Sequence, residues 1–109
     1  MSMDTDMDVL TSPMAALKAL SDPMRWSIVA ALAREELCVC HLTEDLGAPQ
    51  PLISHHLRVL RDAGIVESEK WRYWTYYRLA PEALGELSDL VAALAAGSRS
   101  AGNPRRPCC

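Results

Sequence analysis

Leu42-Thr43-Glu44-Asp45-Leu46-Gly47-Ala48-Pro49-Gln50-Pro51-Leu52-Ile53-Ser54-His55-His56-Leu57-Arg58-Val59-Leu60-Arg61-Asp62-Ala63-Gly64 decides the fold. The stretch reads as two helical patterns joined by a tight turn. Gly47 ends the first pattern, because glycine accepts the left-handed conformation that closes a helix. Pro51 opens the second, where the missing N–H is not needed. Ile53, Leu57 and Leu60 fall within about 40° of one direction at about 100° per residue, so they form a buried face. Ser54, His55, Arg58 and Asp62 fall on the other side, and Gly64 stops the helix.

Working outward toward the N-terminus, Glu36 to Leu46 reads as a short helix. Before it, Asp22 caps and Pro23 opens a helix lined by Met24, Ile28, Val29 and Leu32. Ser12-Pro13 repeats that start signal for a first helix with Met14, Leu17 and Leu20 on one face. Toward the C-terminus the period changes. Ile65-Val66-Glu67-Ser68-Glu69 and Thr75-Tyr76-Tyr77-Arg78-Leu79 are rich in β-formers and read as a β-hairpin. Pro81 then opens a last helix carrying Leu84, Leu87, Leu90, Val91 and Leu94 on one stripe. A mainly α chain with a small hairpin in this order predicts a winged helix-turn-helix, whose second helix enters the DNA major groove. The expected divisions are a flexible arm over 1–11, the winged domain over 12–96 and a flexible cysteine-ended tail over 97–109.

At 109 residues the chain is one small domain, and half of it is apolar. No apolar run approaches the roughly 20 residues that span a bilayer. With no basic-then-apolar leader in the sequence, the expectation is a cytoplasmic chain without membrane contact. The net charge of −3 is unpromising for a DNA binder, but it is unevenly spread. Residues 1–50 hold three Lys/Arg against eight Asp/Glu, whereas residues 51–79 hold five against three. Positive charge therefore gathers on the segment that reads as helix and wing.

Within that segment, Gln50, Ser54, His55 and Arg58 are the expected DNA contacts of the helix, since such side chains suit base edges and phosphates. His56 flanks the buried face and reads as a packing histidine. On the hairpin, Lys70 and Arg72 lie among Trp71, Tyr73, Trp74, Tyr76 and Tyr77. The two cations are assigned to the phosphate backbone and the aromatics to packing.

The four cysteines form two clusters, Cys38/Cys40 and Cys108/Cys109. Without a leader, metal or thiol chemistry is a better reading than a disulfide framework. Thiolates suit soft ions: zinc, cadmium, copper(I) and trivalent arsenic or antimony. Residues two apart on a regular helix point about 200° apart, so sharing an ion should distort the start of the helix. First-turn hydrogen bonds are incomplete in any case, which makes that distortion cheap. The competing reading is two small buried hydrophobes. His41 adds a nitrogen beside Cys40, or is an exposed polar residue. The lack of Cys-x-x-Cys and of a βαβ pattern argues against a thiol oxidoreductase or a metal carrier. No nucleophile–base pair marks an enzyme.

Glu36-Leu37-Cys38-Val39-Cys40-His41-Leu42, Gln50 to Leu57 and Leu60-Arg61-Asp62-Ala63-Gly64-Ile65-Val66 resemble the ArsR/SmtB family of metalloregulatory repressors. Ala19 to Arg25 and Tyr76-Tyr77-Arg78-Leu79 extend the resemblance over about residues 14–96. The resemblance implies a homodimeric repressor on double-stranded operator DNA, with no required cofactor, that leaves the operator when metal binds. The Cys-Val-Cys motif is similar to that of arsenite and cadmium/lead sensors. It implies As(III) or Sb(III) as inducer, with Cd(II), Pb(II), Zn(II) or thiol oxidation as alternatives. Arsenite sensors of this type add a third cysteine where Thr43 stands here. Cadmium sensors often add cysteines from an N-terminal arm, and this arm has none. Zinc sensors use Asp and His on the last helix, and no His follows Asp89. The third ligand is therefore open, and Cys108 or Cys109 is the candidate. The residues after Gly97 reach roughly 40 Å if extended, far enough to meet Cys38 in either subunit.

Overall fold

The computed structural model describes residues 13–100. The arm, the cap Ser12 and the tail cysteines Cys108 and Cys109 lie outside that range. Helix α1 covers 13–20 and α2 covers Pro23–Leu32. Between them the Asp22 carboxylate accepts the N–H groups of Met24 (2.8 Å) and Arg25 (3.0 Å), and Pro23 sits in the first turn. The start signal read from Asp22-Pro23 is thus a working N-cap, whose contacts with Arg25 and Met24 hold the Asp22 carboxyl below its ordinary range.

Strand β1 (Leu37–Cys38) precedes α3 (Val39–Leu46), and α4 (Gln50–Asp62) follows. Gly47 closes α3 in the left-handed conformation at φ 62°, and its N–H bonds to the Thr43 carbonyl. The last helical contact of α4 is taken over by Ile65, whose N–H reaches the Leu60 carbonyl at 2.9 Å around Gly64 at φ 79°. Both glycines supply a backbone that other residues adopt at a cost.

Strands β2 (Val66–Trp71) and β3 (Trp74–Leu79) form the hairpin, closed by the two-residue loop Arg72-Tyr73. The register runs from Val66 opposite Leu79 to Trp71 opposite Trp74. The sheet has a third strand that the sequence pattern did not predict. Leu37 pairs with Tyr77 and Cys38 with Tyr76, giving the order β1-β3-β2. The helix expected from Glu36 therefore begins only at Val39, because Leu37 and Cys38 are held extended by β3. Helix α5 (Pro81–Ser100) runs on through Gly97, past the composition change there.

The core is built on Ile28, Leu42, Ile53, Leu57, Leu60 and Ile65, all fully buried. Each such side chain stabilises the fold by about 1.5–3 kcal/mol relative to exposure. On α1 the buried residues are Ala16 and Ala19, not the larger Met14 and Leu17, which stay exposed. Leu17 lines one apolar surface with Leu84, Leu87 and Val91 of α5, and Leu90, Val91 and Leu94 of α5 are also exposed. The domain is a winged helix-turn-helix: α3, Gly47 and α4 make the helix-turn-helix, and β2–β3 make the wing.

Candidate functional site

The reader helix α4 buries Ile53, His56, Leu57 and Leu60, as its period demands. His55 and Arg58 are exposed, as is Gln50 at its first turn. Ser54 is half-buried, because it lies about 90° from the buried stripe at about 100° per residue rather than opposite it. His56 is a packing histidine, only 7% exposed. Arg25 on α2 lies 3.2 Å from its Nδ1 and also donates to the Ala19 carbonyl at 2.6 Å, so one guanidinium joins α1, α2 and α4.

On the wing, Lys70 and Arg72 are exposed, and among the described residues neither has an acidic partner within 4.0 Å. Arg72 stands at the tip with a positive φ of 58° and lays its guanidinium 4.7 Å from the Trp71 ring centroid. Arg78 is different. Glu67 and Glu69 each hold it at 2.7 Å, with Glu36 4.0 Å away, so its charge is used within the sheet. The aromatics divide by face. Tyr77 packs against the core, but Trp71, Tyr73 and Trp74 are exposed, with Tyr73 94% accessible. Packing was expected for all of them. Trp74 fails that expectation because it alternates with Tyr77 and Leu79 along β3 and so points to the other face.

The sensor candidates meet at the junction of β1 and α3. Cys38 is the N-cap of α3, extended at φ −92° and ψ 170°. The expected conflict of directions therefore does not arise. Because Cys38 is not helical, its sulfur already lies 2.7 Å from that of Cys40, with no distortion of the helix. Cys38 is buried at 5% exposure, while Cys40 is exposed. Burial works against ionising Cys38, but the Cys40 thiol and the backbone N–H groups of His41 and Cys40 outweigh it and draw its pKa below the ordinary value. Cys40 is raised, first by its hydrogen bond to Cys38 and then by burial and the neighbouring negative charge. The two thiols titrate as a pair, and their hydrogen bond favours a single negative charge shared between them.

His41 joins them. Its Nδ1 is 3.2 Å from Cys38 Sγ and accepts the Cys38 backbone N–H at 3.3 Å. The ligand atoms of Cys38, Cys40 and His41 all lie within 4.8 Å of one another. Ligand atoms around one tetrahedral zinc stand roughly 3.3–3.8 Å apart. Nδ1 of His41, 3.2 Å from Cys38 Sγ, is near that spacing. The two sulfurs, 2.7 Å apart, must open by about 1 Å to share an ion. The sequence offers His41 as a possible nitrogen ligand but looks to the tail for the third ligand, because a helix drawn from Glu36 gives no reason for the three to converge. Thr43 contributes nothing, since its hydroxyl is bonded to the Val39 carbonyl at 2.8 Å. Cys40 opens onto a groove of about 450 Å³ that Thr43, Gln50, Tyr73 and Trp74 also line. The exposed thiol, the first residue of the reader and the wing tip therefore share one surface.

The sequence pattern described as "Bacterial regulatory protein, arsR family" matches residues 22–68, which run from the Asp22 cap through α3 and α4 into the wing. The arsenical resistance operon repressor of Bacillus subtilis is 35% identical over 77% of this chain and 81% of its own length. This chain belongs to the arsR family. The arsenic resistance transcriptional regulator ArsR1 of Pseudomonas putida is 47% identical over 69% of the chain, though the match spans only 59% of that relative. Among solved structures, a homodimeric winged helix-turn-helix DNA-binding domain from Mycobacterium bovis, described as a possible ArsR-family regulator, superposes with a TM-score of 0.70. It is 26% identical and covers 94% of this chain and 95% of its own. The arsR family is one of transcriptional regulators rather than enzymes, and several relatives are named for arsenic or arsenical resistance. Among the described residues no helix is long and apolar enough to cross a membrane.

Proposed function

We propose that this chain is a cytoplasmic repressor that holds double-stranded operator DNA as a homodimer and leaves it when As(III) or Sb(III) is bound by Cys38 and Cys40. The observation that carries this reading is the convergence of the two sulfurs, 2.7 Å apart, at the N-terminus of α3, with Cys40 facing the groove that contains Gln50 and the wing tip. Trivalent arsenic and antimony are soft and favour thiolates. The names of the Bacillus and Pseudomonas relatives support an arsenical signal. In DNA-bound form, Gln50, Ser54, His55 and Arg58 face the major groove, while Lys70 and Arg72 lie on phosphates. The two thiolates supply two of the three bonds to arsenic, and Cys108 or Cys109 supplies the third. When the sulfurs take the ion, the α3 N-terminus shifts, and through its contact with α4 and the shared groove the reader loses its fit.

The dimer uses the apolar surface between α1 and α5, lined by Leu17, Leu20, Trp26, Leu87 and Val91. So large an exposed apolar seam on a small domain marks an association surface. A second reading, in which Cd(II), Pb(II) or Zn(II) is the inducer, is favoured by the position of His41 beside both sulfurs.

The test is fluorescence anisotropy of labelled promoter DNA with the full chain, challenged in turn with arsenite, antimonite, cadmium and zinc. Release by arsenite or antimonite at stoichiometric levels is expected. DNA that stays bound under all four overturns the reading.

A further inference from the structure

We propose that His41 is the third ligand of the Cys38–Cys40 site for a borderline-soft divalent ion, and that ligation by His41 uncaps α3 by taking the imidazole lone pair from the Cys38 backbone N–H. The proposal rests on the reading of Cys38 and Cys40 as the sensing thiolates.

A backbone N–H can only donate, so the His41 Nδ1 that lies 3.3 Å from it is the acceptor and the ring proton sits on Nε2. A neutral imidazole offers one lone pair in total for hydrogen bonding or for a metal. In this structure that lone pair serves the Cys38 amide, the reciprocal arm of a capping box at the start of α3. The same nitrogen is 3.2 Å from Cys38 Sγ. His41 therefore needs no large movement to ligate. It cannot ligate and cap at once, and a switch to ligation through Nε2 puts the proton on Nδ1, which equally ends the cap.

The consequence falls on a specific place. Cys38 is both the last residue of β1, paired with Tyr76 of the wing, and the N-cap of α3. Losing its amide partner loosens the joint between the wing and the helix-turn-helix. Imidazole suits zinc, cadmium and cobalt(II), whereas trivalent arsenic favours thiolate. His41 thus sets the response to divalent ions and is a bystander for arsenite.

The test uses the full chain with Cd(II), Co(II) and arsenite as probes. In His41→Gln the side chain still reaches back to the Cys38 N–H, so the fold is kept, and thermal melting checks this. We expect Cd(II) affinity, measured by chelator competition, to fall about tenfold or more, by analogy with the loss seen when ligand shells are altered. Arsenite affinity should stay within about twofold, since thiolates carry it. In ¹¹³Cd-loaded wild-type protein a His41 ring nitrogen should couple to the metal, and the Cys38 amide resonance should show loss of its hydrogen bond. Unchanged Cd(II) affinity in both His41→Gln and His41→Ala, or no coupling from cadmium to His41, overturns the proposal. The underlying reading fails separately: it falls if the Cys38→Ser/Cys40→Ser variant still binds both Cd(II) and arsenite as the wild type does.

Discussion

Nδ1 of His56 lies 3.2 Å from the guanidinium of Arg25, and because the guanidinium only donates, the imidazole must accept there. Burial is the main cause that keeps the His56 pKa below its ordinary 6.5; the Asp22 carboxylate pulls against it, and the charges of Arg25 and His55 add to the lowering. The folded chain thus binds fewer protons at His56 than the unfolded chain does. The stability from this contact is complete above pH 6.5 and is lost as pH falls through the folded value. The urea midpoint should therefore drop between about pH 7 and about pH 5.5, where histidine is the group that titrates. In His56→Gln that part of the pH dependence should flatten. An equally steep profile in the variant would show that another group is responsible.

Gly47 supplies the positive φ that separates the two helices of the reader. A Cβ there would meet nothing within 4 Å, so the whole cost of a substitution is conformational. Gly47→Ala should destabilise by about 1–2 kcal/mol, and Gly47→Asn by less, because asparagine tolerates the left-handed region. Chemical denaturation measures both. Equal stability of Gly47→Ala and wild type would mean that the turn relaxes to another conformation.

The exposed face of α4 and the free cations of the wing should separate in a salt titration. Arg58→Ala should weaken operator binding by about 1–3 kcal/mol if it reads a base edge, with loss of sequence preference. Lys70→Ala and Arg72→Ala should weaken binding to all sequences alike and each lower the salt slope by about 1. Arg78→Ala should leave the slope unchanged, because Glu67 and Glu69 already neutralise that side chain. A slope that falls for Arg78 as much as for Lys70 would place DNA on the other face of the wing.

The apolar seam of α1 and α5 gives a prediction that does not depend on metal. Leu94 is 76% exposed in the single chain, and Leu90 and Val91 are about half exposed beside it. Leu94→Asp should yield a monomer in sedimentation and lose operator binding, while helix content is kept. Wild-type protein that sediments as a monomer at micromolar concentration would refute the proposed dimer.

Much of this architecture was legible in the sequence because it rests on local rules. The Asp22-Pro23 cap, the Ile53/Leu57/Leu60 stripe and the left-handed Gly47 are all fixed by neighbours within a few residues. Leu37-Cys38 was not legible as a strand. Two residues are too few to alternate, and what holds them extended is β3, some forty positions later in the chain. That single non-local pairing also hid the geometry of the site. Once Cys38 is drawn as helical, its sulfur points away from Cys40, and His41 has no reason to approach it. Drawn as the extended N-cap, it meets both.

The inducer should act through Cys38 and Cys40, and the two positions should differ in what else they do. Cys40 is exposed and, among the described residues, its sulfur meets only that of Cys38, so Cys40→Ser should leave fold and DNA binding intact and abolish release by arsenite. Cys38 is buried against β3 and caps α3, so Cys38→Ser should abolish release and also lower the melting temperature, since it puts a hydroxyl in place of a buried thiol. Cys108→Ser with Cys109→Ser should weaken the arsenite response if the tail supplies the third thiolate, and leave it unchanged if solvent or another ligand fills that bond. Anisotropy of labelled operator DNA reads all four variants in one format. Release of the Cys38→Ser/Cys40→Ser double variant by arsenite at wild-type concentrations would put the sensor elsewhere in the chain, whatever the geometry at the head of α3.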